Sequence, residues 1–160
     1  MNNKTVVIGF GNALQSDDGV GCYIAARLQS FSLPANIKVV DGGLDALTVV
    51  NKYRSAGKMI VVDAVLGSGK PGDIYCLGLE ELSTAARPSG FSLHDLTPLD
   101  VLVWARENNL LPSVTIYGIH PATLDFGQQL SPAVLTAAER LIRHILAEIG
   151  VTGEEGRNAD

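Results

Sequence analysis

The sequence predicts a three-layer α/β/α sandwich built on a five-stranded, mostly parallel sheet with one antiparallel strand. Three observations lead there. Short β-branched or apolar runs alternate with helical periodicity in the order β-α-β-α-β-β-α-β-α. The longest of these runs, residues 58–65 (KMIVVDAV), has the continuous pattern of a strand covered on both faces. The Gly67-Ser68-Gly69-Lys70-Pro71-Gly72 turn after it is too short for a helical crossover, so the strand that follows should have an antiparallel partner.

Each element has its own signal. Residues 5–8 are a short β-branched run between Lys4 and Gly9, and read as a buried strand. A helix over residues 19–31 places Val20, Ile24 and Leu28 on one face, with Pro34 beyond its end. Residues 37–40 form a second strand ending in Asp41-Gly42-Gly43, and a short helix spans residues 44–53. After the third strand and its turn, residues 73–77 return as the fourth. Residues 80–90 are irregular, broken by Pro88 and Gly90. Thr97-Pro98 pairs an N-cap with a proline at the first helical position and opens a helix to about residue 108. Residues 113–117 are the last strand. Ser131-Pro132 repeats the cap signal before a long helix whose apolar stripe is Val134, Leu135, Ala138, Leu141, Ile142, Ile145, Leu146 and Ile149, closed by Gly150. Residues 1–150 read as one domain, and residues 151–160 lack periodicity and are expected to be disordered.

Composition excludes several functional classes. The 160 residues are 46% apolar and 18% charged, enough for one packed core and too apolar for a disordered chain. A net charge of −5 removes the electrostatic footprint of a nucleic-acid binder. No apolar run approaches about 18 residues, so no membrane span is expected. The opening MNNKTVVIGFGN lacks a signal-peptide pattern, and Cys22 and Cys76 form neither a metal spacing nor a disulfide framework. A cytoplasmic, soluble protein is expected.

Two motif readings compete. Gly9-Phe10-Gly11-Asn12 after the first strand invites a Rossmann-like nucleotide-binding reading, with Asp41 as the ribose acid. Leu14 stands where the third glycine should fall, however, and Asp17 and Asp18 would repel a pyrophosphate at the helix start. The Gly-Ser-Gly-Lys stretch fails as a P-loop, since Ala64 and Pro71 occupy required positions. The second reading makes the carboxylates the point. Asp17 and Asp18 follow the first strand, Asp63 lies near the end of the third, and His94 precedes a helix. Loops beyond the carboxyl ends of parallel strands converge on one crevice, so these side chains form a candidate O,O,N set for a first-row divalent metal. Three protein ligands leave a position open for water or substrate. Plainer roles stand beside these: Asp17 or Asp18 as a helix cap, and His94 as an ordinary loop histidine. Asp63 is harder to dismiss, because an aspartate inside a doubly buried strand needs a partner. Cys22 reads as a small core residue, His144 as solvated, and Trp104 as core or half-buried surface. His120 follows the last strand and reads as lining the same crevice.

The string from Gly9 to Gly21 (GFGNALQSDDGVG) resembles the opening motif of the NiFe-hydrogenase maturation endopeptidases, peptidase family M52. The likeness continues through Asp41-Gly42-Gly43, the VVDA segment at Asp63, Ser92-Leu93-His94-Asp95-Leu96, Tyr117-Gly118-Ile119-His120-Pro121 and Leu130-Ser131-Pro132-Ala133-Val134, in the family's order. The resemblance implies a phosphorylase/hydrolase-like α/β/α fold and removal of a C-terminal extension from the hydrogenase large-subunit precursor after nickel insertion, generally by a monomer. It places the metal ligands and catalytic residues at Asp18, Asp63 and His94, with nickel carried by the substrate and other divalent metals able to substitute in vitro. Asp18 stands where family members often have Glu, one methylene longer, and Asp17 is a candidate to compensate. Asn12, Asp17, Gly42, Gly43 and His120 are candidate substrate contacts. His120 stands where an acidic or amide residue is expected, which bears on substrate choice. The remaining alternative is a non-enzymatic, nickel-sensing assembly factor for the same precursor.

Overall fold

A computed structural model describes residues 3–81, 97–127 and 129–151. Its strands are β1 (Thr5–Phe10), β2 (Ile37–Gly43), β3 (Lys58–Ala64), β4 (Ile74–Gly78) and β5 (Ser113–Ile119). Its helices are α1 (Val20–Gln29), α2 (Ala46–Tyr53), α3 (Pro98–Glu107) and α4 (Pro132–Glu148). The strands form one sheet in the order β2-β1-β3-β5-β4, parallel except for β4. The expected five-stranded mixed sheet is therefore present. The antiparallel strand lies beside β5 rather than beside β3, from which its turn departs. Burial explains the choice. The carboxyl half of β5 is buried on both faces and suits an interior position, whereas β4 has no buried residue and exposes Cys76, which suits an edge.

Two apolar layers sandwich the sheet. Val7, Ile60, Val62, Tyr117 and Ile119 face α1 and α4 in one cluster. Val6, Ile8, Phe10, Met59, Val61 and Ile116 face α2 and α3 in the other. The strict alternation along β1 and β3 is the two-residue period of a strand buried on both sides. Across the first layer, the Tyr23 hydroxyl of α1 donates to Glu139 of α4 at 2.7 Å.

The helix signals hold with local changes. Thr97 and Asp100 make a full capping box at α3. The first helix begins later than its pattern suggested, because Ser16–Gly19 is a single 3-10 turn. In α4, Leu135 is exposed and Ala137 takes its place in the core, so the apolar stripe is rotated slightly from the expected one. The Ser131 hydroxyl makes no cap to α4; it is diverted elsewhere, as described below. The predicted irregular stretch beyond Glu81, the segment with His94 and the tail beyond Val151 lie outside the described residues. Among the described residues no helix is long and apolar enough to cross a membrane.

Glycine sets how closely α1 sits on the sheet. A methyl group on Gly21 would lie 2.3 Å from the Phe10 carbonyl oxygen and 2.4 Å from that of Val62. Both neighbours are central-strand backbone and cannot yield. Gly21→Ala should therefore destabilise the protein by about 3 kcal/mol, in the range of overpacking that strands cannot relieve. A urea midpoint equal to that of the wild type would contradict this packing.

Candidate active site

The chain leaves β1 for β2 on one side and then returns to β3 on the other, so a crevice opens beyond the carboxyl ends of β1 and β3. The loop from Gly11 to Asp18 folds back over this opening. Gly11 has φ 136°, and a methyl group there would lie 1.9 Å from the Asp18 carbonyl oxygen, so only glycine permits the fold-back. The same methyl would sit 3.6 Å from Asp63 Oδ1, which places the end of β3 against this loop. The Asn12 N–H donates to Asp18 Oδ2 at 2.8 Å, and the Asn12 side chain accepts from the Leu14 N–H at 3.0 Å. Asn12 thus shapes the loop. A carboxylate already takes the backbone donor that a phosphate would need, which removes the nucleotide reading on geometric grounds.

The two adjacent aspartates have different surroundings. Asp17 is 0% exposed, and its carboxylate accepts four hydrogen bonds. They come from the N–H groups of Ala122 (2.9 Å), Thr123 (3.1 Å) and Ser131 (2.7 Å) and from the Ser131 hydroxyl (2.8 Å). Burial alone would raise its pKa, but the bonds from Ser131, Ala122 and Thr123 outweigh burial and hold the carboxyl below its ordinary value. Asp17 therefore neither caps α1, whose N-cap is Gly19, nor faces a substrate. It binds the connection between β5 and α4 to the turn that carries Asp18. Asp18 is half-buried and stands over the crevice.

Asp63 is 6% exposed and accepts the Ala64 N–H at 2.8 Å. Burial first, and the charge of Asp18 second, push its pKa well above the ordinary value, against the smaller effect of the Ala64 bond. A buried carboxylate with a second one near it suits a cation, because a positive ion beside Asp63 would relieve desolvation and repulsion together. Among the described residues no group of three or more His, Cys, Asp or Glu side chains is placed to hold a metal. The described residues bring two carboxylates, Asp18 and Asp63, to this edge, and His94 lies outside them.

The remaining candidates differ in their surroundings. Gly42 is buried, and a methyl there would lie 2.6 Å from the Phe10 ring, so packing demands the glycine. Gly43, at φ 53°, has open space where a side chain would project. Asp41 accepts the Gly43 N–H at 3.0 Å and shapes that turn. The Cys22 thiol lies 3.3 Å from the Gly11 carbonyl, and its pKa is pushed up to about 12, by burial first and then by Asp41. It is a core residue, not a nucleophile. His120 Nδ1 lies 2.9 Å from the Tyr75 hydroxyl and accepts the Gly67 N–H at 3.3 Å, so it pins the loop after β3. His144 is exposed, as expected, with its Nε2 3.2 Å from the Tyr117 hydroxyl. The Asp17–Ser131 and Tyr75–His120 pairs escaped the sequence reading, because both depend on strand order and register.

Residues 22–148 match the family model described as hydrogenase maturation protease. The chain belongs to that family. It is 32% identical over 93% of its length to a putative hydrogenase maturation protease of Methanocaldococcus jannaschii, covering 99% of that protein. It is 30% identical to the hydrogenase expression/formation protein HupD of Rhodobacter capsulatus, over 95% of this chain and 74% of the relative. Among solved structures it resembles the hydrogenase maturating endopeptidase HybD from E. coli, with a TM-score of 0.76, 27% identity and 91% of each chain covered. As a member of this family the protein is a hydrolase of the maturation-endopeptidase type.

The two aspartates should respond oppositely to substitution. The folded Asp63 carboxyl binds its proton more tightly than the unfolded one, whose value is 3.8, so its effect on stability worsens as pH rises through the folded value. Asp17 is the reverse: its contribution is complete above 3.8 and is lost as pH falls through its lowered folded value. In urea titrations of chelator-treated protein at pH 7, Asp63→Asn should be more stable than the wild type. Asp17→Asn should lose about 2–3 kcal/mol, the scale of a hydrogen bond to a charged group. The reverse order would contradict the assignment.

Proposed function

We propose that this protein is an endopeptidase that removes the C-terminal extension of a NiFe-hydrogenase large-subunit precursor once nickel has been inserted. The observation that carries the reading is the convergence of Asp18 and Asp63 over the crevice of a maturation-protease fold. The metal belongs to the substrate, so its arrival reports that the precursor is assembled. Asp18 and Asp63 supply two oxygen ligands from the protein side. His94 is assigned as the third, on the strength of its place in the sequence motif. Nickel held in this way supplies either polarisation of the scissile carbonyl or a bound water of lowered pKa.

The chain's own residues do the positioning. The backbone bond from Asn12 orients Asp18, and the Ala64 N–H orients Asp63. Burial favours the protonated form of Asp63 and a cation beside it would favour the carboxylate, so metal docking should be coupled to proton release. We place the reaction in the cytoplasm and assign it to a monomer.

The test is incubation of purified protein with nickel-loaded precursor, followed by intact mass of the precursor. Release of a C-terminal peptide is expected. Asp18→Ala, Asp63→Ala and His94→Ala should each slow it by at least about 100-fold, the scale for losing a group that stabilises developing charge. Wild-type rates in the Asp63 and His94 variants would overturn the site. A stable complex with no released peptide would instead identify an assembly factor.

A further inference from the structure

The carboxyl edge of the sheet carries more exposed apolar side chain than a plain surface needs. Eight large hydrophobic residues are exposed among the described residues, and five of them, Leu14, Leu44, Leu66, Leu124 and Phe126, lie in the loops that follow the parallel strands β1, β2, β3 and β5. Single exposed apolar residues are ordinary; one or more in every loop around a crevice is the mark of an interaction surface. Phe126 is the extreme case, at 87% exposure.

We infer that residues 123–127 after β5 form a docking arm that takes an apolar side chain of the protein substrate and is held in register with Asp18. This rests on the cleavage reading above. The arm is tied to the Asp18 turn along its length. The Ser16 N–H donates to the Gly127 carbonyl at 2.7 Å, and the Gly127 N–H donates to the Leu14 carbonyl at 2.9 Å. The Ser16 hydroxyl donates to the Asp125 carbonyl at 2.8 Å, and the Asp17 N–H donates to that of Thr123 at 3.3 Å. The buried Asp17 carboxylate holds the Ala122 and Thr123 N–H groups from below. A methyl on Gly127 would lie 3.0 Å from Ser16 Oγ, so glycine lets the two segments run this close. Phe126 therefore sits between Asp125 and Gly127, both bonded to Ser16, which stands two positions before Asp18. An aromatic side chain presented on preorganised backbone is the cheapest kind of binding anchor, since little ordering is left to do.

The occupant follows from charge and continuity. The acidic pair beside the arm selects a cationic centre, and the arm selects an apolar group attached to it. A protein segment carrying both fits; a nucleic acid does not, since this edge repels phosphate. Apolar contact made equally in ground and transition states weakens KM without touching kcat when it is removed.

The experiment compares the wild type with Phe126→Ser and with Leu124→Ser/Phe126→Ser, both solvent-side changes, and with Phe126→Leu as the conservative control. With nickel-loaded precursor the serine variants should raise KM at least tenfold with kcat unchanged, and Phe126→Leu should restore most of the loss. An unchanged KM overturns the arm. Binding is measured separately on the Asp63→Asn background, where Phe126→Ser should weaken Kd at least tenfold, about 1.4 kcal/mol. If the wild type releases no peptide, the cleavage reading fails on its own, and this Kd comparison still decides the arm: an equal Kd rejects it. If sedimentation instead shows a wild-type dimer that Phe126→Ser splits, a second copy is the occupant and the assignment is overturned.

Discussion

The Asp17 carboxylate joins two parts of the chain more than 100 residues apart, and the crevice depends on that junction. Its four donors come from the beginning and end of the connection between β5 and α4, while its backbone belongs to the turn after β1. A buried carboxylate is tolerated only when its lone pairs are filled, so the junction is close to all-or-none. It fixes where α4 starts, where residues 123–127 lie, and how the next residue, Asp18, faces Asp63. The Ser131 hydroxyl gives up its ordinary cap on α4 to complete the set.

Two neighbouring aspartates thus have opposite electrostatic situations within one turn. Asp17 is filled with donors and remains charged; its work is to hold backbone. Asp63 lies in a partly dry space, where burial first and the charge of Asp18 second disfavour its ionised form. The first arrangement stabilises the fold and the second opposes it, which is the usual relation between a scaffold and a functional site. Close packing around Gly11 and Gly21 keeps both within one rigid frame, because the loop and α1 have no room to shift.

Much of this was legible in the sequence. The KMIVVDAV run identified the central strand and marked Asp63 as an aspartate with something to explain, and the glycine turns located the strand ends. The ordered motifs pointed to the maturation-protease family that the comparisons then showed. What was not legible depended on strand order. Nothing in residues 73–77 says that β5 will insert beside β3, and without that register Tyr75 and His120 are unrelated. The division of labour between Asp17 and Asp18 was equally hidden, since either carboxylate reads as a cap until Ser131 is placed in space. Gly42 reads in sequence as a candidate substrate contact, and only the fold shows the Phe10 ring packed against it.

We propose that the clamped turn and the end of β3 present Asp18 and Asp63 as one oxygen-ligand pair to a divalent cation. Crystals of the protein soaked in nickel, with anomalous diffraction collected across the nickel edge, test it directly. An anomalous peak contacted by carboxylate oxygens of both Asp18 and Asp63 is expected, with its loss in Asp63→Asn. A metal bound at other residues while that pair stays unliganded would contradict it.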